Sequence, residues 1–283
     1  DALINYATGI NLLAVPSGGP PRPDLWDGVV HLMAKDIVWF HAVIWPGMLL
    51  ALRLHPPRRI VVHGFFTVDG CKMSKTVGNV IRPSALIERF GVDATRLLVV
   101  SMFPFGSDGD FSAQALVERY NRLLPDNFGN LVARTYAMVR RYFPDGFTPG
   151  TVSPEVVARI RTQVDTYRES FERFELHRVV DAIFDLSSAA NRYIQETAPW
   201  NLAKSGRAEN LRRVLTDLLC CIRSIAVLLY PVMPTVASHV LGCFGQTAVV
   251  PAEYRDLLAG RIPLVESFNS GEIGILFKKV PSA

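Results

Sequence analysis

Residues 63–83, HGFFTVDGCKMSKTVGNVIRP, place two lysines in a loop that is bracketed by glycines. Lys72 and Lys75 are separated by two residues, and Gly70 and Gly78 flank them. Two ammonium groups on such a loop suit a triphosphate, because cations aimed at developing negative charge lower a reaction barrier. Glycines let the backbone approach phosphate closely. The spacing alone leaves open a simpler alternative, an exposed basic turn after a strand.

The residues before this loop predict a parallel α/β sheet. Residues 29–36 form an apolar strand that ends in a charged pair, and helical spacing follows over residues 37–52. Residues 59–68 predict a second strand, which leads into the lysine loop. Because ligands gather at the carboxyl ends of parallel strands, Asp36 is expected beside a ligand site.

From Ala113 onward the apolar residues recur at intervals of three and four, which predicts a helix bundle. Pro125 is expected to break or kink its helix, because it lacks an amide hydrogen. Ser153-Pro154-Glu155 predicts a helix start with a capping hydroxyl. Further helices are predicted over residues 83–90, 95–102, 176–196, 208–229 and 234–244. Residues 245–283 are expected to pack back on the bundle.

Composition limits the class of protein. The chain has 283 residues, of which 49% are hydrophobic and 20% charged, so it is an ordered globular chain long enough for two domains. A net charge of +4 permits a polyanionic partner without requiring one. The four cysteines lack zinc or disulfide spacing, which favours a reducing compartment. The apolar run over residues 211–240 is interrupted by Arg223, Pro231 and Pro234, so it predicts buried helices rather than a membrane span.

Asp108 and Asp110 form an Asp-x-Asp pair in a predicted loop over residues 103–111. Further carboxylates that could complete a metal site are missing nearby. A turn or a helix cap is the interpretation that we favour, and no metal site is predicted.

The lysine loop resembles a known family signature. His63-Gly64, residues 67–70, residues 72–76 and Gly78-Asn79 are similar to the second signature of class I aminoacyl-tRNA synthetases, with Thr76 where serine is usual. That family joins an amino acid to ATP, releases pyrophosphate and passes the acyl group to tRNA. The resemblance implies ATP with Mg²⁺ as cofactor and makes Lys72 and Lys75 the catalytic residues. The ATP-binding residues that it implies are His63, Gly64, Phe66, Lys72, Met73, Ser74, Lys75 and Asp36.

Two other segments narrow the resemblance to methionyl-tRNA synthetases. Residues 1–6 and residues 35–41, with Trp45-Pro46 beyond, resemble the amino-acid pocket of that family. Apolar and aromatic walls suit a flexible, polarizable methionine side chain. Without the resemblance, Phe40 and His41 would be interpreted as core residues of an apolar helix. The methionine-binding residues that it implies are Ala2, Leu3, Tyr6, Ile37, Phe40 and His41.

The helical region resembles the anticodon-binding elements of the same family at residues 129–134 (GNLVAR) and residues 197–200 (TAPW). The implied anticodon-binding residues are Asn130 and Arg134 on one helix face and Trp200 on a turn after another helix. An indole stacks on an unpaired base, while guanidinium and amide groups bond base edges. A core tryptophan and a solvated arginine are the alternative.

The predicted fold class is therefore part of a Rossmann-like α/β domain followed by an all-α anticodon-binding bundle. The expected boundaries are 1–58 for the catalytic part, 59–114 for the lysine loop with the stem-contact region, and 115–283 for the bundle. The chain starts at Asp1 without methionine and lacks the first class signature, so we expect a missing amino-terminal half and no adenylate formation by this chain alone.

The resemblance implies tRNA(Met), L-methionine and ATP as partners, no membrane, and a monomer once the chain is complete. The expected location is the cytoplasm, with the mitochondrial matrix as alternative. Two other functions remain open from the residues: a non-catalytic tRNA-binding fragment, or a class I synthetase for leucine or cysteine, since those enzymes share the lysine loop and a similar helical domain.

Overall fold

A computed structural model describes residues 2–14, 19–74, 76–246, 251–263, 265–269 and 273–281. Predictions that involve Asp1, Lys75 or residues 248–250 lie outside the described residues. Packing divides the chain into two compact units. Unit 1 comprises Asp1–Met73 and Phe105–Gly109, and unit 2 comprises Ser74–Pro104 and Asp110–Ala283.

Unit 1 is a small α/β assembly whose regular elements are short. In chain order they are a 3₁₀ turn (Ala2–Ile4), α1 (Asn5–Gly9), α2 (Pro23–Asp27), β1 (Val30–Ala34), a 3₁₀ turn (Lys35–Ile37), a π-helical turn (Phe40–Ile44), α3 (Trp45–Ala51), β2 (Arg59–His63), β3 (Phe66–Val68) and β4 (Cys71–Lys72), with β5 (Gly109–Asp110) after the return of the chain.

Strands β1 and β2 pair in parallel, as the sequence predicts, with Val30 opposite Arg59 and Ala34 opposite His63. The alternation of a strand turns His31 and Met33 inward, and both are buried. The carboxyl ends of the two strands are therefore adjacent, at Ala34 and His63. Asp36 follows the end of β1, where it was expected.

The single strand predicted over residues 59–68 is wrong, because the structure divides it at Gly64. β2 ends at His63, and β3 belongs to a second sheet in the order β4–β3–β5. A Cβ atom on Gly64 would lie 2.1 Å from the carbonyl oxygen of Ser107, so only glycine allows the two backbones to approach this closely.

The helix predicted over residues 37–52 is also more varied than expected. It begins as a 3₁₀ turn, widens to a π-helical turn and becomes α3. Pro46 cannot donate a backbone hydrogen bond, and its ring crowds the preceding turn. The amide of Trp45 accordingly donates to the carbonyl of Phe40, five residues back, which is the π-helical pattern.

The core of unit 1 is built around two tryptophans. Trp26 and Trp45 meet edge to face at 6.0 Å and 90°, and Ala7 and Leu49 complete the buried cluster. The indole nitrogen of Trp26 donates to the carbonyl of His55, so its polar group is satisfied.

Unit 2 is helical. Its helices are α4 (Pro83–Phe90), α5 (Val92–Ser101), α6 (Ala113–Leu123), a π-helical segment (Leu124–Gly129), α7 (Asn130–Tyr142), α8 (Pro154–Glu172), α9 (Leu176–Thr197), α10 (Pro199–Lys204), α11 (Ala208–Leu229), α12 (Pro234–Gly242) and α13 (Pro251–Leu258). This confirms the predicted bundle.

Helix α11 occupies the centre of unit 2. Leu218, Ile222 and Ile225 are fully buried, together with neighbours on other faces of the same helix. Burial on nearly every side arises because α7, α8, α9, α10, α12 and α13 all pack around α11. The interpretation of residues 211–240 as buried helices is confirmed. In the part of the chain that the structure describes, no helix is both long and apolar enough to cross a membrane.

Pro125 interrupts the helical hydrogen bonds without ending the helix. Residues 124–129 form a π-helical segment between α6 and α7, and the amide of Asn130 donates to the carbonyl of Pro125. The predicted break or kink is thus a local change of helical geometry at the residue that lacks an amide hydrogen.

Helix α8 begins at Pro154, as predicted, but the expected capping by the Ser153 hydroxyl is wrong. The Ser153 side chain makes no capping bond. Its hydroxyl donates to one carboxylate oxygen of Asp217 at 2.7 Å, and its amide donates to the other, also at 2.7 Å. A buried acceptor on α11 has taken the place of the local cap.

The described residues after 245 pack back on the bundle, as expected. The hydroxyl of Tyr120 donates to the carbonyl of Lys278 at 3.1 Å, and the Asn121 side chain exchanges two hydrogen bonds with the backbone of Val280. Phe268 lies against Tyr136, with 4.7 Å between ring centroids. Helix α13 was not predicted.

Candidate functional site

An aromatic and histidine cluster in unit 1 brings together two of the predicted methionine-binding residues. The Tyr6 hydroxyl lies 2.9 Å from Nε2 of His41. The Tyr6 ring also contacts His31 at 4.5 Å and Trp45 at 6.0 Å between centroids. His41 is 5% exposed and Tyr6 is 41% exposed, so the pair joins the core to the surface.

Hydrogen-bond chemistry fixes the direction of the Tyr6–His41 contact in the neutral state. Nδ1 of His41 lies 3.0 Å from the carbonyl of Ile37. A carbonyl only accepts, so Nδ1 carries the proton, and Nε2 of a neutral His41 accepts from the Tyr6 hydroxyl. The pair then faces its surroundings without a formal charge.

The other predicted methionine-binding residues lie at or near the surface. Phe40 is 53% exposed and Ile37 is 40% exposed, so neither is a core residue. Ala2 is exposed, and Leu3 is half-buried and packs against the tryptophan core. The alternative that Phe40 belongs to the core of an apolar helix is therefore wrong, whereas His41 is buried.

Two lysines converge on Phe65 in unit 1. Nζ of Lys72 lies 3.8 Å from the centre of the Phe65 ring, and Nζ of Lys35 lies 4.9 Å from it. Lys35 also forms an ion pair of 2.6 Å with Asp108. The Asp108 carboxylate accepts from the amide of Phe65 as well, at 2.7 Å. Asp108 therefore does not have the turn or capping role that was predicted. Its carboxylate connects the residue after β1 and the residue before β3 to the returning chain.

The Asp108 carboxyl group is held in its charged form. Its hydrogen bond from Lys35 is the largest cause that lowers its pKa below the ordinary value, followed by the bond from the Phe65 amide. The charge of Lys72 acts in the same direction. This carboxylate therefore balances two cations at the carboxyl ends of β1 and β2.

Several of the predicted ATP-binding residues contact one another around the end of β2. Nδ1 of His63 lies 2.9 Å from the carbonyl of Gly64, and the His63 ring faces Phe105 at 6.5 Å. The amide of Met73 donates to the carbonyl of Phe66 at 3.2 Å. Asp36 is exposed in the turn after β1.

Ser74 organises the turn that follows the first lysine. Its hydroxyl accepts from the amide of Thr76 at 3.1 Å, and its own amide donates to the side chain of Asn79 at 2.8 Å. The predicted catalytic residue Lys75 lies outside the described residues.

In unit 2, the predicted anticodon-binding residues Asn130 and Arg134 lie on α7 and face α9. The Asn130 amide lies 3.5 Å from the side-chain oxygen of Asn191. The Arg134 guanidinium lies 3.0 and 3.2 Å from the side-chain oxygen of Gln195, with that amide oriented so that its oxygen faces the arginine.

Trp200 does not lie on a turn, as was predicted, but in the short helix α10. Ala198 adopts a left-handed backbone conformation with φ 41°, which ends α9 and lets Pro199 start the next helix. Trp200 is half-buried, so it is not the fully buried core residue of the alternative interpretation.

Sequence analysis missed His31 and Phe65 as members of the site. His31 occupies an inward position of β1, where a polar side chain needs a partner. A histidine at an inward-facing position of a predicted strand is therefore the sequence feature that could have identified His31. Phe65 follows the strand end directly, but its contact with two lysines depends on how the chain returns at residues 105–109.

The second aspartate of the Asp-x-Asp pair has a local role. Asp110 accepts a hydrogen bond of 3.3 Å from the amide of Ser112, two residues on, as in a turn. In the described ranges, no group of three or more histidine, cysteine, aspartate or glutamate side chains could hold a metal ion.

Comparisons with known proteins agree along the chain. The family model for tRNA synthetases class I (M) matches residues 1–136, and the model for the anticodon binding domain of methionyl tRNA ligase matches residues 143–282. A methionine–tRNA ligase of Caldanaerobacter subterraneus subsp. tengcongensis is 38% identical over 256 residues, which cover 87% of this chain and 39% of the relative. A methionine–tRNA ligase of Streptococcus pyogenes serotype M1 is 36% identical over 253 residues, which cover 87% and 38% respectively.

Solved structures give the same result. Mycobacterium tuberculosis methionyl-tRNA synthetase bound by methionyl-adenylate matches with a TM-score of 0.82 and 32% identity, covering 96% of this chain and 54% of that one. Its apo form matches with a TM-score of 0.83 and 28% identity, covering 99% and 55%. The chain thus spans about half the length of these structures and 39% or less of the curated relatives. Both family models and these relatives place it in one branch of the class, and the chain belongs to the methionyl-tRNA synthetases of class I.

Proposed function

We propose that this chain supplies part of the active site and the anticodon-binding helices of an enzyme that activates methionine with ATP and transfers it to tRNA(Met). One observation carries the proposal: Lys35 and Lys72 converge on Phe65 where the parallel strands β1 and β2 end, in the same unit as the Tyr6–His41 pair. Carboxyl ends of parallel strands are where nucleotides bind in open α/β sheets.

In this proposal the methionine carboxylate attacks the α-phosphorus of ATP, and pyrophosphate leaves. Lys75, helped by Lys72, stabilises the charge that develops on the leaving pyrophosphate. Mg²⁺ would arrive with the nucleotide and neutralise phosphate charge. The protein contributes positioning and electrostatics rather than a covalent step.

His63, Gly64, Phe66, Met73, Ser74 and Asp36 are the further residues that we assign to ATP. Gly64 supports this assignment, because its contact with Ser107 leaves no room for a side chain and sets the path of the backbone there.

The methionine side chain would bind beside Tyr6 and His41, with Ile37, Phe40, Ala2 and Leu3 around it. The Tyr6 hydroxyl, whose hydrogen-bonding capacity is engaged by His41, adds a polar group without formal charge to the apolar wall beside the thioether. Because the Tyr6 side chain is 41% exposed, part of its ring is open to such a ligand.

For tRNA we assign Asn130, Arg134 and Trp200 to the anticodon. Asn191 on α9 contacts the Asn130 side chain, and Gln195 on the same helix contacts the Arg134 guanidinium, so α9 holds both side chains in position. Trp200 is half-buried rather than buried, and we expect an unpaired base to stack on its indole.

The small sheet and the exposed apolar side chains of unit 1 indicate that another polypeptide segment covers part of its surface. Its two-stranded parallel sheet is smaller than such sheets usually are, and parallel sheets are normally covered on both faces. Leu32 and Trp39 are each 65% exposed, and Leu50 is 62% exposed. We propose that the remainder of a catalytic domain covers this apolar surface, and that the complete protein acts as a monomer in the cytoplasm or, alternatively, the mitochondrial matrix.

The test is methionine-dependent pyrophosphate exchange with the amino-terminal half of the M. tuberculosis enzyme supplied as a separate chain. We expect exchange only when both chains are present, and a steep loss in Lys72→Met. Lys204→Met, which changes an exposed lysine of α10, should leave exchange unchanged. If the mixed chains bind each other and RNA but never exchange pyrophosphate, the non-catalytic alternative is correct.

A further inference from the structure

Lys35 is a cation of unit 1 to which the proposed function gives no chemical role. It is the first residue after β1, and its Nζ lies 4.9 Å from the centre of the Phe65 ring. Nζ of Lys72 lies over the same ring, at 3.8 Å from its centre. Both lysines are exposed, so a ligand can reach either ammonium group. A polyphosphate chain that binds to Lys72 would therefore pass close to Lys35.

A carboxylate already pairs with Lys35. Both oxygens of Asp108 accept from its ammonium group, at 2.8 and 2.6 Å, and 42% of the Asp108 side chain is exposed. Lys35 first, and Lys72 to a smaller degree, lower the pKa of the Asp108 carboxyl, so this carboxylate acts on both cations. Carboxylate and phosphate oxygens are the same kind of acceptor for an ammonium group, so the two anions compete for Lys35.

The two members of this ion pair differ in how firmly they are held. The Asp108 carboxylate also accepts from the amide of Phe65 at 2.7 Å, and the amide of the next residue, Gly109, donates to the Phe65 carbonyl at 3.1 Å. Backbone bonds on both sides thus fix Asp108. Lys35 reaches it at the end of a flexible four-carbon stem. The lysine is therefore the member that can turn toward another anion.

The relative strengths of the two contacts favour such an exchange. An exposed ion pair between single charges is weak, and 46% of the Lys35 side chain and 42% of the Asp108 side chain are exposed. A polyphosphate carries several negative charges and therefore attracts the same ammonium group more strongly.

We propose that Lys35 is a further phosphate-binding residue of this site, and that Asp108 competes with the polyphosphate for it. When a polyphosphate binds beside Lys72, Lys35 turns from the carboxylate to a phosphate oxygen. The carboxylate stays in place and repels the phosphates, so it weakens their binding and favours the release of pyrophosphate. The inference rests on the proposed function, because it takes the phosphates of ATP to lie at Lys72.

Inorganic tripolyphosphate and ATP test the proposal on the full 283-residue chain. The amide resonance of Phe65, in a chain labelled with ¹⁵N-phenylalanine, reports binding at this site because that amide donates to Asp108. We expect a saturable shift with both ligands. Lys35→Met should weaken the binding of each ligand about 3- to 10-fold, since one of the cations is lost.

Asp108→Asn should strengthen the binding of each ligand about 3- to 10-fold. Asparagine keeps an oxygen that can accept from the Phe65 amide, but it removes the charge that holds Lys35 and repels phosphate. The gain should be equal for tripolyphosphate and ATP, because the polyphosphate is the part that they share. A gain for ATP alone would place the nucleoside rather than the phosphates beside Asp108, and would overturn the proposal.

Asp24→Asn is the matched control. Asp24 is also an exposed carboxylate of unit 1 in an ion pair, but its partner is Arg22, at 2.8 Å. This variant makes the same change in net charge and should leave both affinities unchanged. An equal gain in Asp24→Asn and Asp108→Asn would show a general effect of net charge and would contradict the competition.

The double variant Lys35→Met with Asp108→Asn separates competition from repulsion at a distance. If the two anions compete for Lys35, Asp108→Asn gains less affinity in the Lys35→Met background, because no ion pair has to break there. Equal gains in both backgrounds, or no saturable shift of Phe65 in the wild-type chain, overturn the proposal. An unchanged affinity in Asp108→Asn also overturns it but leaves the role of Lys72 intact, which pyrophosphate exchange by the mixed chains tests separately.

Discussion

The indole nitrogen of Trp45 donates a hydrogen bond of 3.1 Å to Nε2 of His31. An indole nitrogen only donates, so Nε2 accepts and a neutral His31 carries its proton on Nδ1. Burial lowers the pKa of His31 below its ordinary value, and the neighbouring His41 lowers it further. Tyr6 therefore packs against an uncharged ring.

His31 should consequently titrate below the ordinary histidine pKa of about 6.5. A depressed pKa means that the unfolded chain binds protons more readily than the folded one. The contribution of His31 to stability is thus present above about pH 6.5 and is lost as the pH falls through its folded pKa. Ring-carbon NMR shifts measure the midpoint directly.

His55 is the internal control for this titration. Its pKa is raised by a hydrogen bond with the carbonyl of Pro56 and, next, by Asp27. We expect its midpoint above that of His31. If the two midpoints coincide or reverse their order, burial does not hold the pKa of His31 below its ordinary value.

Gly64→Ala should disrupt the lysine site. The added Cβ would lie 2.1 Å from the carbonyl oxygen of Ser107 and 2.6 Å from the amide nitrogen of Asp108, and both are backbone atoms that cannot rotate away. We expect a loss of about 3 kcal/mol from the stability of unit 1. Urea unfolding followed by tryptophan fluorescence measures it, because three of the four tryptophans, Trp26, Trp39 and Trp45, lie in unit 1.

Gly28→Ala is the matched substitution, because a Cβ at Gly28 meets no atom within 4 Å and its φ is −100°. It should change stability by less than about 1 kcal/mol. Equal losses in the two variants would show that the close contact with Ser107 is not what makes Gly64 necessary.

Much of this fold follows from the sequence because its patterns are local. The parallel strands, the start of α8 at Pro154 and the long helices α9 and α11 are all set by alternation, helical spacing and proline. Even the effect of Pro125 was predictable as an interruption, since a missing amide hydrogen acts within one turn.

The remaining features depend on residues that are distant in sequence. The Ser153 hydroxyl bonds to Asp217, which is 64 positions away in the sequence, instead of capping its own helix. Asp108 bonds to Lys35, which is 73 positions away. The division of the second strand depends on Ser107, which is also far from Gly64 along the chain. Periodicity carries no information on such pairs, so the geometry of the candidate site required the structure.

Trp200→Ala should weaken binding of an RNA hairpin that carries the methionine anticodon CAU. Loss of one stacked base costs about 1–3 kcal/mol, which corresponds to about 5- to 150-fold in the dissociation constant. Fluorescence anisotropy with the full chain measures it. Trp39→Ala removes a tryptophan that is 65% exposed in unit 1 and should leave hairpin affinity unchanged. A similar loss for hairpins with any anticodon would argue against recognition of the base.

Asp217→Asn should destabilise unit 2 more than any surface change of charge. The carboxylate is fully buried on α11 and accepts from the Ser153 amide and hydroxyl, each at 2.7 Å, and from the Tyr193 hydroxyl at 2.8 Å. It thereby joins α8, α9 and α11. An asparagine would lose the charge-assisted hydrogen bonds, and its NH₂ group would face hydroxyls that now donate to the carboxylate and would have to reorient to accept, so we expect a loss of about 2–4 kcal/mol.

Urea unfolding followed by circular dichroism measures this loss, because most of the helical signal comes from unit 2. Asp165→Asn is the control, since Asp165 forms an exposed ion pair of 3.0 Å with Arg168 within one helix and should change stability by less than about 0.5 kcal/mol. Tyr193→Phe in the Asp217→Asn background should cost less than it does alone, because the donor that it removes has already lost its acceptor. Additive losses would show that Asp217 and Tyr193 stabilise the bundle independently, and that the buried carboxylate is not the common acceptor on which the start of α8 depends.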